Sequence, residues 1–273
     1  MSGQAGPRPT LDHIVILVSH GTLQGIPDRL RGVLVVAPGG THADGLTSNL
    51  LILLADGVYL ELIAFFDGVD PERRRRHRWG QLQENTIVDW AYTLPHEGGF
   101  GAVQQRVADA QAGYTYDDPV AGGRTRPDGT VLRWAVATGR AADGSSSKPG
   151  RLPFWCLDRT PRHLRVPYEE HPEQTVHPCG ARGVSSLSVV VSWQHLSPLG
   201  QVYDAIHNAP SLASVYGVER YWHFGVPSES NEGKHAILLS GTDGASGIRL
   251  TLQGDGRGRL SLELLPGLLV EVE

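Results

Sequence analysis

Residues 11–66 constrain this chain more than any other stretch. LDHIVILV (11–18) is almost wholly apolar and β-branched, the pattern of a strand buried on both faces. Residues 22–31 suit a short helix interrupted by Pro27, and 32–37 a second strand. Pro38-Gly39-Gly40 then reads as a turn leading to His42. Residues 48–54 and 58–66 read as further strands, separated by the turn Asp56-Gly57. The order is strand, helix, strand, strand, strand. Two polar side chains interrupt the apolar runs: His13 in the first strand, and Glu61 between Leu60 and Leu62 in the last. An ionised carboxylate among leucines is costly to bury unless it is paired. A His and a Glu on separate strands of one sheet can face one cavity and share a metal. Without a metal, Glu61 would serve as a general base with its pKa raised by burial.

The same order recurs downstream. TIVDWAYTL (86–94) reads as a strand, and 100–112 as a helix ending at Gly113. Residues 114–126 are loop and strand, and 130–138 follow as a strand after the turn Pro127-Asp128-Gly129. The Ser-rich loop 139–150 precedes a fourth strand over 151–157. A third unit is expected over 183–273: a strand at 184–192, a helix at 197–209 with Pro198 at its start, and strands at 221–226, 235–239, 248–253 and 259–265. The last two would form a hairpin across Gly254-Asp255-Gly256, and Leu262-Glu263-Leu264 repeats Leu60-Glu61-Leu62. Repetition of this kind decides a fold more than local propensity does. It predicts an α+β fold of repeated βαβββ modules with mixed sheets. Residues 11–182 form one domain, with modules 11–68 and 86–159 and a connector, and the third unit packs on it. Residues 1–10 read as a loose tail.

Composition narrows the function. A net charge of −5 and a pI near 6.2 leave no general nucleic-acid footprint. RRRRHR (73–78) has acidic flanks and reads first as a solvated helix face, second as an anionic rim site. No apolar run approaches the ~20 residues that span a bilayer, and MSGQAGPRPT is not a secretory signal. Cys156 and Cys179 give neither a disulfide framework nor a CxxC motif. A cytoplasmic protein with inert thiols is expected. No GxSxG elbow and no phosphate loop occur.

LDHIVILV, GGTHADGLTSN (39–49) and DGVYLELIAF (56–65) together resemble the opening of the glyoxalase-like domain family, part of the vicinal oxygen chelate superfamily. RTRPDGTVLRW (124–134), LPFWCLD (152–158) and HPCGA (177–181) extend the resemblance over roughly 11–191. It implies paired βαβββ modules enclosing a cup, in a superfamily of lyases, isomerases, ring-cleaving dioxygenases and drug-binding proteins. In many members a first-strand His and a fourth-strand Glu bind a divalent metal, and His13 and Glu61 match those positions. The second module departs from the pattern, with Asp89 near the His position and Phe154 where a second Glu would fall. Four protein ligands are therefore not available.

The candidate centre is then His13 and Glu61, completed by Asp89 or His42. With open positions it would hold one divalent ion, Fe, Mn, Ni or Zn, or none. Asn49 would hydrogen-bond a substrate carbonyl or its own backbone. Arg124 and Arg126 alternate in an extended segment and would face the same way, to hold an anionic group or to sit in solvent. Trp134 and Trp155 would line an aromatic pocket or pack the core, and His177 would set the connector. The expected activity concerns a small oxygenated metabolite, carbonyl or phenolic. A non-catalytic small-molecule binding protein is the second reading, and a protein-interaction scaffold the third. No nucleic acid or membrane partner is expected, and oligomerisation is left open.

Overall fold

The computed structural model describes residues 8–126, 128–213, 219–228 and 235–273. Most of the expected tail, and Pro127 of the expected turn, lie outside them. In chain order the first unit is β1 (Thr10–Val18), α1 (His20–Arg29), β2 (Ala37–Thr41), β3 (Thr47–Leu53) and β4 (Tyr59–Phe65), followed by the short helix α2 (Pro71–Arg76). The second is β5 (Thr86–Thr93), α3 (Phe100–Asp109), β6 (Tyr114–Tyr116), β7 (Val120–Thr125), β8 (Val131–Ala137), β9 (Gly139–Ala141) and β10 (Phe154–Asp158). After α4 (Arg162–Arg165) come β11 (Gly183–Ser192), α5 (Trp193–His207), β12 (Leu212–Ala213), β13 (Glu219–His223) and β14 (Ala236–Thr242). The chain closes with β15 (Gly247–Gln253), β16 (Leu260–Leu265) and β17 (Leu268–Val272).

Eight strands form one sheet in the order β2-β3-β4-β1-β5-β10-β8-β7. In each unit the first strand runs parallel to the last, and the units join where β1 meets β5 antiparallel. The sheet curls until its two edge strands approach. A Cβ added to Gly40 on β2 would stand 2.7 Å from Arg124 on β7. The second sheet follows the same plan in the order β12-β13-β14-β11-β15-β17-β16, but its last part has neither a helix nor a fourth strand.

The apolar strands of the first sheet are explained by burial on both faces. Ile14, Ile16, Leu60 and Leu62 point into one core shared with α1, α3, α5 and the second sheet. The alternate residues Val15, Leu17, Ile63 and Phe154 line the concave side. His13 and Glu61 belong to that concave set.

Three expectations fail. The strand at 32–37 is absent; Val33 and Val35 instead bond to the connector at Cys179 and His177. The Pro-Gly-Gly segment forms β2, because its glycines leave room for Asn49. A Cβ on Gly39 would fall 2.1 Å from the Asn49 carboxamide oxygen, which accepts a bond from Gly40 N at 2.8 Å. The hairpin across Gly254-Asp255-Gly256 does not form either, since β17 lies between β15 and β16, and the hairpin is β16–β17. In addition, α5 begins four residues before the expected start, so Pro198 lies inside it. Among the described residues no helix is long and apolar enough to cross a membrane.

Candidate functional site

The concave face opens on a cavity of about 540 Å³. His13, His42, Asn49, Glu61, Arg124 and Trp134 all reach its wall. β1 bulges between Leu11 and His13, which lets the neighbouring side chains of Asp12 and His13 come together. Asp12 Oδ2 lies 2.9 Å from His13 Nδ1, so that nitrogen carries the proton and Nε2 is left facing the cavity. The imidazole is further fixed by stacking on Tyr59 at 4.7 Å and by the edge of Phe154 at 5.3 Å.

Asp12 is completely buried. Burial opposes its ionisation, but Arg162, Arg165 and His13 outweigh that and hold the carboxyl well below its ordinary range. Arg165 donates to both Asp12 oxygens at 3.1 Å, to both Asp158 oxygens at 2.8 Å and to the Tyr59 hydroxyl at 2.9 Å. Arg162 also contacts Asp12 and donates to Gly57 O at 2.8 Å. A buried ionic network thus lies beside His13.

Glu61 receives three groups. Asn49 Nδ2 donates to Oε1 at 2.5 Å, His42 Nε2 lies 3.4 Å from the same oxygen, and His13 Nε2 lies 3.6 Å from Oε2. Burial would raise the Glu61 pKa, yet His42, His13 and Asn49 together bring it down to about 2. Glu61 is therefore a fixed carboxylate, and the expected burial-raised general base is corrected. His42 shifts the opposite way: burial disfavours its charge, but Glu61 and Asp44 overcome that and raise its pKa. Its Nδ1 is held by Thr47 Oγ1 at 2.8 Å.

Arg124 faces the cavity and makes no hydrogen bond or ion pair with another described residue; burial lowers its pKa while Tyr59 and Glu61 oppose the shift. Arg126 does not share its direction. β7 ends at Thr125, and Arg126 lies in the following turn, where it donates to Leu164 O at 3.3 Å and faces Asp128 at 3.6 Å. Trp155 is fully buried against Tyr92, Phe100 and Tyr116. His177 accepts from Val35 N at 3.0 Å and bonds Leu53 O at 2.9 Å, a connector anchor outside the cavity.

Strand register places Asp89 in the second unit where His13 stands in the first: His13 pairs with Ala91 and Val15 with Asp89 across the same antiparallel ladder. Phe154 likewise stands where Glu61 does. Asp89 is not free to ligate a metal. Arg78 Nε at 2.7 Å, Trp79 Nε1 at 3.0 Å and Gly150 N at 3.2 Å occupy its carboxylate. In the second sheet Ser186 and Leu238 hold the His13 and Glu61 positions, and Glu263 lies exposed on β16, bonded to Gly267 N.

Two donor sets share His13. Asp12, His13 and Cys156 bring three buried donor atoms within 4.8 Å of one another. Two guanidiniums already neutralise Asp12, and burial pushes the Cys156 thiol well up, so a dication meets cations and a protonated thiol there. The cavity side offers His13 Nε2, Glu61 and His42 Nε2 instead. Two imidazoles approach different oxygens of one carboxylate, a set that suits a divalent ion with open positions.

The sequence pattern did not point to Asp12, Arg162, Arg165 or Tyr59, although an Asp beside a His in an apolar strand is itself a sign that a cation must be near. Arg78 and Trp79, also on the wall, sat within or next to a basic run whose outward face is more obvious.

The family profile described as a glyoxalase-like domain matches residues 11–198. No curated protein sequence matches the chain. Among solved structures it resembles a hypothetical protein from Staphylococcus aureus (13% identity, 97% of this chain and 99% of that one, TM-score 0.68). It is also similar to a Mn(II)-bound glyoxalase from Novosphingobium aromaticivorans (11% identity, 97% and 82%, TM-score 0.52) and a halotolerant catechol dioxygenase (11%, 97% and 86%, TM-score 0.50). At these identities the likeness is one of fold. The chain belongs to the glyoxalase-like domain family.

Proposed function

We propose that this protein is a metal-assisted enzyme acting on a small oxygenated metabolite, a carbonyl or phenolic compound, in the cup of the eight-stranded sheet. One observation carries the reading: His13 Nε2 and His42 Nε2 converge on the two oxygens of Glu61 at the wall of a cavity large enough for a small organic substrate. His13, Glu61 and His42 would hold the ion, and Asp12 fixes the tautomer that His13 needs for it. When bound, a divalent ion supplies Lewis-acid polarisation of substrate oxygens.

The chain's own groups supply the rest. Arg124 offers an unpaired guanidinium to an anionic group of the substrate. Ile63, Trp134 and Phe154 pack against its apolar body and exclude water. His42 carries a proton more readily than a free histidine, and Thr47 fixes its Nδ1, so in the metal-free cup its Nε2 can give or take a proton, whereas with the ion bound that nitrogen is a ligand.

Non-catalytic ligand binding in the same cup is the second reading. It is favoured by the second module, where Phe154 offers no donor and Asp89 is engaged by Arg78. Elemental analysis of purified protein, after reconstitution with Fe(II), Mn(II), Ni(II) and Zn(II), separates the two. Near-stoichiometric metal that is lost in His13→Ala and Glu61→Ala supports the enzyme reading. Metal-free wild type with ligand-dependent thermal stabilisation supports binding alone.

A further inference from the structure

The second module does not repeat the His13 and Glu61 donors of the first; a cation, Arg78, faces the residues at those positions. Asp89 and Phe154 hold the positions that His13 and Glu61 hold in the first module. Asp89 is fully buried and faces Arg78, which lines the cavity. Its carboxylate takes the Arg78 Nε at 2.7 Å and the Trp79 indole N–H at 3.0 Å. The Arg78 guanidinium stands 6.0 Å above the Phe154 ring, whose edge faces His13. Its Nη2 is buried and has no hydrogen-bond partner among the described residues. A guanidinium held on one side by Asp89 and lining the cavity is placed to meet an acceptor that enters it.

Arg124 lies elsewhere on the wall, at the seam where β7 closes on β2. Arg78 stands over β5 and β10, in the middle of the strand order. Glu61 is already bonded by Asn49 and approached by His13 and His42, and it makes no ion pair with either arginine among the described residues. Of the four arginines at the cavity wall, Arg165 is committed to Asp12 and Asp158 and Arg76 is exposed, which leaves Arg78 and Arg124 as the two less exposed cationic anchors.

We propose that Arg78 is a substrate-binding residue and that the substrate is a small dianionic acid, with one acidic group taken by Arg78 and a second by Arg124. This rests on the cup being the ligand site, as in the proposed function, and deepens it by naming the substrate class.

Binding of terephthalate, benzoate and benzamide, followed by the fluorescence of the cavity tryptophans Trp79 and Trp134 and by calorimetry, tests it. Wild type should bind terephthalate at least tenfold more tightly than benzoate, and benzamide more weakly than either. Arg78→Gln alone would leave Asp89 without its cation, so the Arg78→Gln/Asp89→Asn double variant is the informative one. It should keep the wild-type melting temperature and metal content, while terephthalate affinity falls at least tenfold to the benzoate level. An unchanged terephthalate preference in the double variant overturns the proposal, as does wild type that shows no such preference. Metal content of the same preparations reports separately on the enzyme reading. Metal retained without Arg78-dependent binding sinks only the dianion proposal. Arg78-dependent binding without metal sinks only the metal-assisted enzyme.

Discussion

Asp12 holds Nδ1 of its neighbour His13 at 2.9 Å, a contact that the bulge in β1 makes available. Asp12 is also the counter-charge of Arg162 and Arg165, so it serves two ends. Asp12→Asn should therefore do two things at once. Metal affinity should fall by about 10–100-fold, because the His13 tautomer is no longer enforced. Stability should fall by about 3–5 kcal/mol, because a buried ionic group loses its partner. Metal titration and urea denaturation read the two effects independently. Unaltered metal affinity in a destabilised variant would assign Asp12 to the fold alone.

Arg124 and Arg126 are two residues apart and predicted to behave differently. Arg124→Gln should weaken binding of a carboxylate probe at least tenfold and leave the melting temperature within about 2 °C, since surface-type changes stay within about 0.5 kcal/mol. Arg126→Gln should alter neither, because its contacts are to Leu164 O and Asp128 in a half-exposed turn. Equal losses in the two variants would mean that long-range charge, not contact, attracts the probe.

Gly39 is a position in β2 that tolerates no side chain. A Cβ there would meet not only the Asn49 side chain but also its backbone oxygen, at 2.3 Å. Strands β2 and β3 would have to part, and Asn49 would leave Glu61. Gly39→Ala should cost about 1–3 kcal/mol and weaken metal binding with it, as measured by denaturation and metal titration. A stable variant with full metal affinity would show that Asn49 can move without disturbing Glu61.

The concave pair His13 and Glu61 was legible because period-2 alternation puts polar side chains on a fixed face, and the matching of Asp89 with His13 followed from the repeat together with the family resemblance. What was not legible is what occupies each group. Nothing local to VDWAY says that Arg78 and Trp79 claim Asp89, since they arrive from the loop before β5. Nothing in LDHIV names Arg162 and Arg165, about 150 residues later. The β2 error has the same origin: Pro-Gly-Gly has turn chemistry, and only the carboxamide of Asn49 makes glycine a strand requirement. The hairpin expected there does not form because β17, which follows β16 in the chain, inserts between β15 and β16, although Gly254-Asp255-Gly256 has turn chemistry.

Two buried groups set opposing pH slopes in one window. Burial raises the Asp56 pKa to about 6, although the amides of Val184 and Val58 partly counter it. Its contribution is therefore full below pH ~4 and is lost as pH rises through 6. Burial among Tyr203, Trp222 and Tyr92 lowers His207 to about 3, partly countered by its bond to His223 O. Its contribution is full above pH ~6.5 and is lost as pH falls through 3. Each group changes stability by up to about 1.4 kcal/mol per pH unit, with opposite sign, so between pH 4 and 6 the two largely cancel. Asp56→Asn should uncover the histidine, giving stability that rises with pH across this window on top of a constant loss from one unsatisfied amide. His207→Gln should uncover the aspartate, giving stability that falls. Urea denaturation at half-unit steps from pH 4 to 7 measures the slopes. Parallel curves for wild type and both variants would mean that neither group titrates in the folded protein as its burial requires.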